Sequence, residues 1–174
     1  MGFNTLDKMF SLTTFFFLFS FCLFSGSQGD TCCAANPKNN YYLGDKKVNW
    51  ANAIIACQVV GMSLVSIQSQ VKQDEVSKFL QSTGVNYLGF DNGIWTSGNR
   101  LQDKVHWLWL AQEPVVYTKW DTLYNEPNNA TGDEECISII NNGTTTDWND
   151  IACNRTFYPL CEKQICCSSC QSCS

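Results

Sequence analysis

The 174-residue sequence holds a single histidine, His106. Histidine is the side chain best suited to proton transfer near neutral pH, so catalysis of that kind has one candidate. It stands beside bulky aromatics on an expected surface loop, with no nucleophile motif around it. No glycine-rich loop is present to cradle a phosphate. Charged residues are scarce at 16%, and the net charge of −5 leaves no basic surface for nucleic acid. Beyond Phe24 no apolar run is long enough to cross a bilayer, and no internal repeat divides the chain. These absences point away from an enzyme and toward a binding protein.

Apolar residues are plentiful, at 44%, so one ordinary domain can bury a core. The first of them form a targeting segment. Lys8 precedes an apolar run from Met9 to Phe24, broken by Ser11, Thr13, Thr14 and Ser20, and the small residues Ser25, Gly26 and Ser27 follow. The run falls short of the roughly 20 residues of a membrane helix and has the flanks of a secretory signal. Residues 1–29 are therefore expected to be a signal peptide, cleaved between Ser25 and Asp30. Cleavage removes Cys22 and leaves ten of the eleven cysteines, an even number. An even set in a secreted, extracellular chain implies a disulfide framework.

A polar lead over residues 30–40 carries Cys32 and Cys33, and Tyr41-Tyr42-Leu43 opens the domain as a strand. Asn49 is placed to cap a helix whose apolar positions Trp50, Ala53, Ile54 and Cys57 share one face, with Gly61 ending it. Leu64, Val65 and Ile67 follow, and Ser69 caps a second helix that buries Val76, Phe79 and Leu80 and stops at Gly84. The second half is strand and loop. Trp95, Trp107, Trp109 and Trp148 are expected in the core, Cys136–Ile140 as a strand, Asn142-Gly143 as a turn, Ile151–Cys153 as its return and Phe157–Cys161 as the closing strand. Helices first and strands after make the class α+β. Residues 164–174 form a tail with Cys166, Cys167, Cys170 and Cys173.

The acids gather in one place. Between Glu113 and Asp150 stand eight (113, 121, 126, 133, 134, 135, 147 and 150) against one base, Lys119, a local charge of 1 − 8 = −7. Such crowding repels itself unless a cation binds. Within it run Glu126-Pro127-Asn128, then Glu134, then Trp148-Asn149-Asp150, the second half bracketed by Cys136 and Cys153. Three carboxylates and two carboxamides offer only oxygen to a metal, which suits a hard cation such as calcium, and calcium tolerates the irregular geometry of a loop. Pro127 stiffens the backbone, and a cis bond before it would aim both flanking side chains at one point.

This grouping resembles the sugar-binding calcium site of C-type lectins, and Glu134 stands two residues before Cys136, where that family places its third ligand. Tyr87-Leu88-Gly89-Phe90 is similar to the family's Trp-Ile-Gly-Leu strand, and the resemblance runs from Tyr41 to Glu162. It implies a short-form domain over residues 41–163, two helices packed on short antiparallel sheets with a long calcium-binding loop. It pairs Cys57 with Cys161 and Cys136 with Cys153. Those bonds close loops of about 100 and about 15 residues, worth roughly 4.7 and 3 kcal/mol in the chain-entropy model. It also implies that Glu126, Asn128, Glu134, Asn149 and Asp150 hold one calcium and bind two adjacent sugar hydroxyls, the acids accepting hydrogen bonds and the amides donating them. In the family, Glu-Pro-Asn goes with mannose, glucose, N-acetylglucosamine or fucose, and Gln-Pro-Asp with galactose. The implied role is recognition of glycans on cell or microbial surfaces, in innate immunity or cell recognition. Glu126 and Glu134 could be mistaken for a glycosidase pair, but their amide neighbours and ligand spacing favour binding.

Some positions depart from the family. Its auxiliary calcium site uses acids upstream of the long loop, where Gly98 to Trp107 offers only Asp103 among Arg100, Lys104 and His106. Asn129 also stands where an acid often sits, so the second site is expected to be missing. Asn129-Ala130-Thr131 is a glycosylation sequon beside Asn128, and a glycan there would mask the site, leaving a protein-binding module of the same fold. Asn142-Gly143-Thr144 and Asn154-Arg155-Thr156 are surface sequons. Cys32, Cys33, Cys166, Cys167, Cys170 and Cys173 have no partner in the family scheme. They are open to bonds between the two ends, to zinc, or to a disulfide-linked oligomer.

Overall fold

In the computed structural model, which describes residues 40–141, 143 and 145–164, both expected helices start at their caps. Helix α1 (Trp50–Val59) begins where the Asn49 side-chain oxygen accepts the Asn52 N–H at 2.9 Å, and it buries Trp50, Ala53 and Cys57. Helix α2 (Gln70–Thr83) begins where the Ser69 hydroxyl accepts the Lys72 N–H at 3.2 Å. It buries Gln73, Val76 and Leu80 and ends at Gly84, whose φ of 67° few other residues adopt. Caps of this kind each contribute about 1 kcal/mol.

The strands are β1 (Tyr41–Leu43), β2 (Ser63–Leu64), β3 (Ile94–Asn99), β4 (Glu134–Asn141), β5 (Thr146–Ala152) and β6 (Tyr158–Glu162), in the order β1-β6-β3-β4-β5 with β2 also paired to β6. The expectation of antiparallel sheets holds for every strand pair but one: β3 runs parallel to β6. The closing strand lies between β1 and β3, antiparallel to the first and parallel to the second. Tyr87–Phe90 keeps only part of its expected strand character: Leu88 pairs in parallel with Asn141 as an isolated bridge, with the Gly89 N–H donating to the Asn141 carbonyl at 2.9 Å and the Asn141 N–H to the Tyr87 carbonyl at 3.1 Å. Gly89 takes a φ of 73°, the Asn86 side chain accepts the Leu88 N–H at 3.0 Å, and a short 3-10 turn follows at Phe90–Asn92. The chain bends there, and regular pairing starts only at Ile94.

Two buried clusters flank the sheet. One joins Val76 and Leu80 of α2 to Ile94, Ile137, Ile139, Trp148 and Leu160. The other joins Trp50, Ala53 and Cys57 of α1 to Trp95, Cys136, Ile151 and Phe157. Both disulfides form as the family scheme has them. Cys57–Cys161 ties residues 104 apart and Cys136–Cys153 ties residues 17 apart, the latter clamping the start of β4 to the end of β5. Lys163 donates its N–H to the Asn40 carbonyl at 2.9 Å, so the ends of the described chain meet. The signal segment, Cys32, Cys33, Asn142 and the four tail cysteines lie outside the described residues. Among those described, no helix is long and apolar enough to cross a membrane.

Candidate functional site

Between β3 and β4 the chain forms no long regular element, and aromatic packing positions it instead. Trp148 on β5 is fully buried, and its indole N–H donates to the Gln73 side-chain oxygen at 2.8 Å. Trp109, Tyr117 and Trp120 pack edge-on around it, with ring centroids 5.6, 5.7 and 5.7 Å away. The Trp148 N–H donates to the Lys119 carbonyl at 2.8 Å, and the Asp121 N–H to the Trp148 carbonyl at 2.9 Å. The entry to the long loop is thereby laid against β5. Asp121 then turns the chain back: its buried carboxylate accepts the N–H of Leu123 at 2.7 Å and of Tyr124 at 3.3 Å, and its carbonyl accepts the Glu126 N–H at 2.9 Å. The Glu126–Pro127 bond that follows is cis.

Past this turn the loop closes on the two strands. Asn128 N–H donates to Asp150 Oδ1 at 2.9 Å and Asn129 N–H to Asp150 Oδ2 at 3.1 Å. Ala130 N–H donates to Glu134 Oε2 at 2.6 Å, and the Glu134 N–H returns to the Asn129 side-chain oxygen at 3.0 Å. Within the triplet, Asn128 Nδ2 donates to Glu126 Oε1 at 3.0 Å. Glu134 is 4% exposed and Asp150 fully buried, whereas Asn128 is exposed, so the acids form the floor and the triplet the rim. Behind the floor lies Arg100. Its guanidinium donates to Asp150 Oδ2 at 3.3 Å and to the Glu134 carbonyl at 2.9 Å, and it stacks over Trp107 at 4.7 Å.

Four of the five expected ligands, Glu126, Asn128, Glu134 and Asp150, are thus joined through residues 126–130. The fifth, Asn149, lies beside Asp150 on β5 opposite Ser138, and no hydrogen bond among the described residues joins its side chain to the other four. Burial, then the Asp150 carboxyl group beside it, then the charge of Glu134 push Glu126 up to about 8. Three carboxyl groups that close together resist full ionisation, and the donor set around them is oxygen throughout. Both facts suit a hard cation. Among the described residues no three histidine, cysteine or carboxylate side chains stand as a ready-made metal cage. Here the donors are mixed acids and amides, and backbone N–H groups hold their oxygens.

Elsewhere, Asn129 is exposed with a φ of 47°, and Asn154 is exposed in the turn after β5. Asp103 accepts from the Val105 and His106 N–H groups at 2.9 Å each and contacts His106 Nδ1 at 2.6 Å, while Glu135 pairs with Lys104. Sequence reasoning missed Arg100 and Asp121 as organisers of the site. For Asp121 a signal existed, an acid directly after the aromatic Trp120 and before a polar loop. For Arg100 there was none, because its partners lie 34 and 50 residues away.

Residues 46–163 match the family model of the lectin C-type domain. The "C-type lectin mannose-binding isoform" of Oxyuranus scutellatus is 26% identical over 146 residues, covering 80% of this chain and 89% of that protein. The "C-type lectin domain family 4 member M" of Symphalangus syndactylus is 32% identical over 131 residues, 74% of this chain, and this chain spans only 28% of its length. Among solved structures, the cow C-type carbohydrate-recognition domain of CD23, crystallised in the presence of a GlcNAc2Man3 oligosaccharide, superposes with a TM-score of 0.59 at 28% identity. That match covers 73% of this chain and 88% of that one.

Proposed function

Since the chain belongs to the C-type lectin domain family, a family of non-enzymatic lectins, we propose that its long loop recognises mannose-type glycans through one calcium ion. Carbohydrate recognition in general follows from the family. The calcium and the sugar class are the further step, and the observation that carries it is the closure of Asn128, Asn129 and Ala130 on Asp150 and Glu134. Glu126, Asn128, Glu134, Asn149 and Asp150 would hold the ion. Bound calcium would supply two coordination positions to adjacent sugar hydroxyls, with an affinity of about 10⁻⁴–10⁻³ M as in other extracellular modules.

The protein's own share is orientation. Asp150, tied to two loop N–H groups, fixes where the triplet stands over the strands. Glu126 and Glu134 would accept from the sugar hydroxyls, and the amides of Asn128 and Asn149 would donate to them. The name of the Oxyuranus scutellatus relative and the oligosaccharide in the cow crystal support the mannose class. A single shallow contact of this kind is weak, so useful binding would draw on repeated glycans of a cell or microbial surface. The apolar run over residues 9–24, and the ten cysteines that remain once it is cleaved, support a secreted chain.

The test is retention of the secreted protein on mannan-agarose. It should hold in millimolar calcium and elute with a chelator; retention indifferent to chelation would contradict the proposal. A second reading, a domain masked by its own glycan, is favoured by the exposed Asn129 next to the rim. It requires that only a Thr131→Ala variant, which lacks the sequon, be retained.

A further inference from the structure

We infer that Arg100 and Lys104 are built-in counter-ions that hold the long loop in its folded path without metal and limit the site to one divalent ion. This rests on the function proposed above and adds its stoichiometry and its metal-free state. Neither base lies in the acidic stretch 113–150; both arrive from the turn that leaves β3. The turn is braced on β4, since Arg100 N–H donates to the Glu135 carbonyl and Lys104 N–H to the Arg100 carbonyl, each at 2.9 Å.

From there the two cations divide the acids. Lys104 pairs with the Glu135 side chain, and Arg100 with Asp150 and the Glu134 carbonyl. Lys119, the single base within the stretch, pairs with Asp147 at 2.9 Å. Among the proposed ligands themselves, three carboxylates, Glu126, Glu134 and Asp150, stand against one guanidinium, a formal charge of minus two. One divalent cation neutralises that charge. A second would leave a cluster of the opposite sign and would have to displace Lys104 from Glu135.

Arg100 also acts mechanically. The Arg100 side chain is 15% exposed and that of Asp150 0%, so the pair is little screened. The same Asp150 carboxylate accepts the loop N–H groups of Asn128 and Asn129. Without the guanidinium Asp150 would remain a buried carboxylate facing Glu126, with only those N–H groups to hold it. The loop should then need a metal to stay closed.

Amide hydrogen exchange of residues 121–133 in excess chelator tests this on the full secreted chain, beside calcium stoichiometry by native mass spectrometry. The parent protein should show a protected loop in chelator. Arg100→Met should exchange there about tenfold faster or more, with protection returning in calcium, and Arg100→Lys should fall between. The parent should take up one calcium, and Lys104→Glu should take up a second. Equal protection of parent and Arg100→Met in chelator, or two calcium ions on the parent, would overturn the inference. A protected loop in chelator that Arg100→Met loses, on a chain that binds no calcium at all, would support the counter-ion role while refuting the proposed function.

Discussion

Asp150→Ala should abolish retention on mannan and lower the unfolding temperature by roughly 10 °C, since removing one partner of a buried ion pair costs about 3–5 kcal/mol by leaving the other charge unpaired. Asp150 is fully buried and, among the described residues, is the side chain that joins loop, strand and guanidinium. Its loss leaves the Asn129 N–H without its acceptor, the Asn128 N–H with Glu126 Oε2 alone, and the little-exposed Arg100 charge with only the Glu134 carbonyl, and an unpaired charge there is costly. Asp150→Asn separates stability from binding. It keeps the volume and one acceptor oxygen but turns an NH₂ toward one or two of the three donors, so stability should fall less while retention is still lost. Thermal unfolding and column retention of both variants check this, and retention by either would place the binding site elsewhere.

The paired exchange Glu126→Gln with Asn128→Asp should invert sugar preference. Free galactose should become the better competitor, moving the ratio of inhibitory concentrations by about tenfold or more, as expected when hydrogen-bond donors and acceptors are mismatched. The local fold has reason to survive. Asn128 Nδ2 now donates to Glu126 Oε1 at 3.0 Å, and after the exchange the amide introduced at the first position would donate to the carboxylate introduced at the second, across the same gap. The Asn128 oxygen that accepts the Ala130 N–H at 2.8 Å has a counterpart in that new carboxylate. Charge over the pair is unchanged, so calcium demand should be similar, while each sugar hydroxyl meets the opposite hydrogen-bonding partner. This follows the family pattern of Glu-Pro-Asn with mannose and Gln-Pro-Asp with galactose. Competition with both sugars, with the unfolding temperature as a control, is the measurement. An unchanged mannose preference in a stable double variant would refute the assigned roles of Glu126 and Asn128.

Helix ends were legible in the sequence because capping is local: Asn49 and Ser69 each lie three residues before the N–H they accept. The core position of Trp148 was legible too, as was the disulfide scheme through its likeness to a known family. Tyr87–Phe90, where the expected strand shrinks to a single bridge between Leu88 and Asn141, shows the limit of pattern reading. Apolar residues in a row look extended until Gly89 takes a positive φ and the Asn86 and Asn92 side chains bond the backbone of Leu88. The five proposed oxygen donors were named from short motifs that resemble those of a known family. Their electrostatic surroundings were not, because a count along the chain sees Lys119 alone and misses Arg100 and Lys104, which reach the acids only through folding. Gln73, a polar residue on an expected apolar helix face, escaped notice for a similar reason, since its partner Trp148 is 75 residues away.

A crystal of the secreted protein grown in millimolar calcium with mannose would test the proposed site directly. Electron density should show a single metal bounded by Glu126, Asn128, Glu134, Asn149 and Asp150, with two mannose hydroxyls on its open side. Those five side chains without a metal between them, or mannose bound away from them, would contradict the proposal.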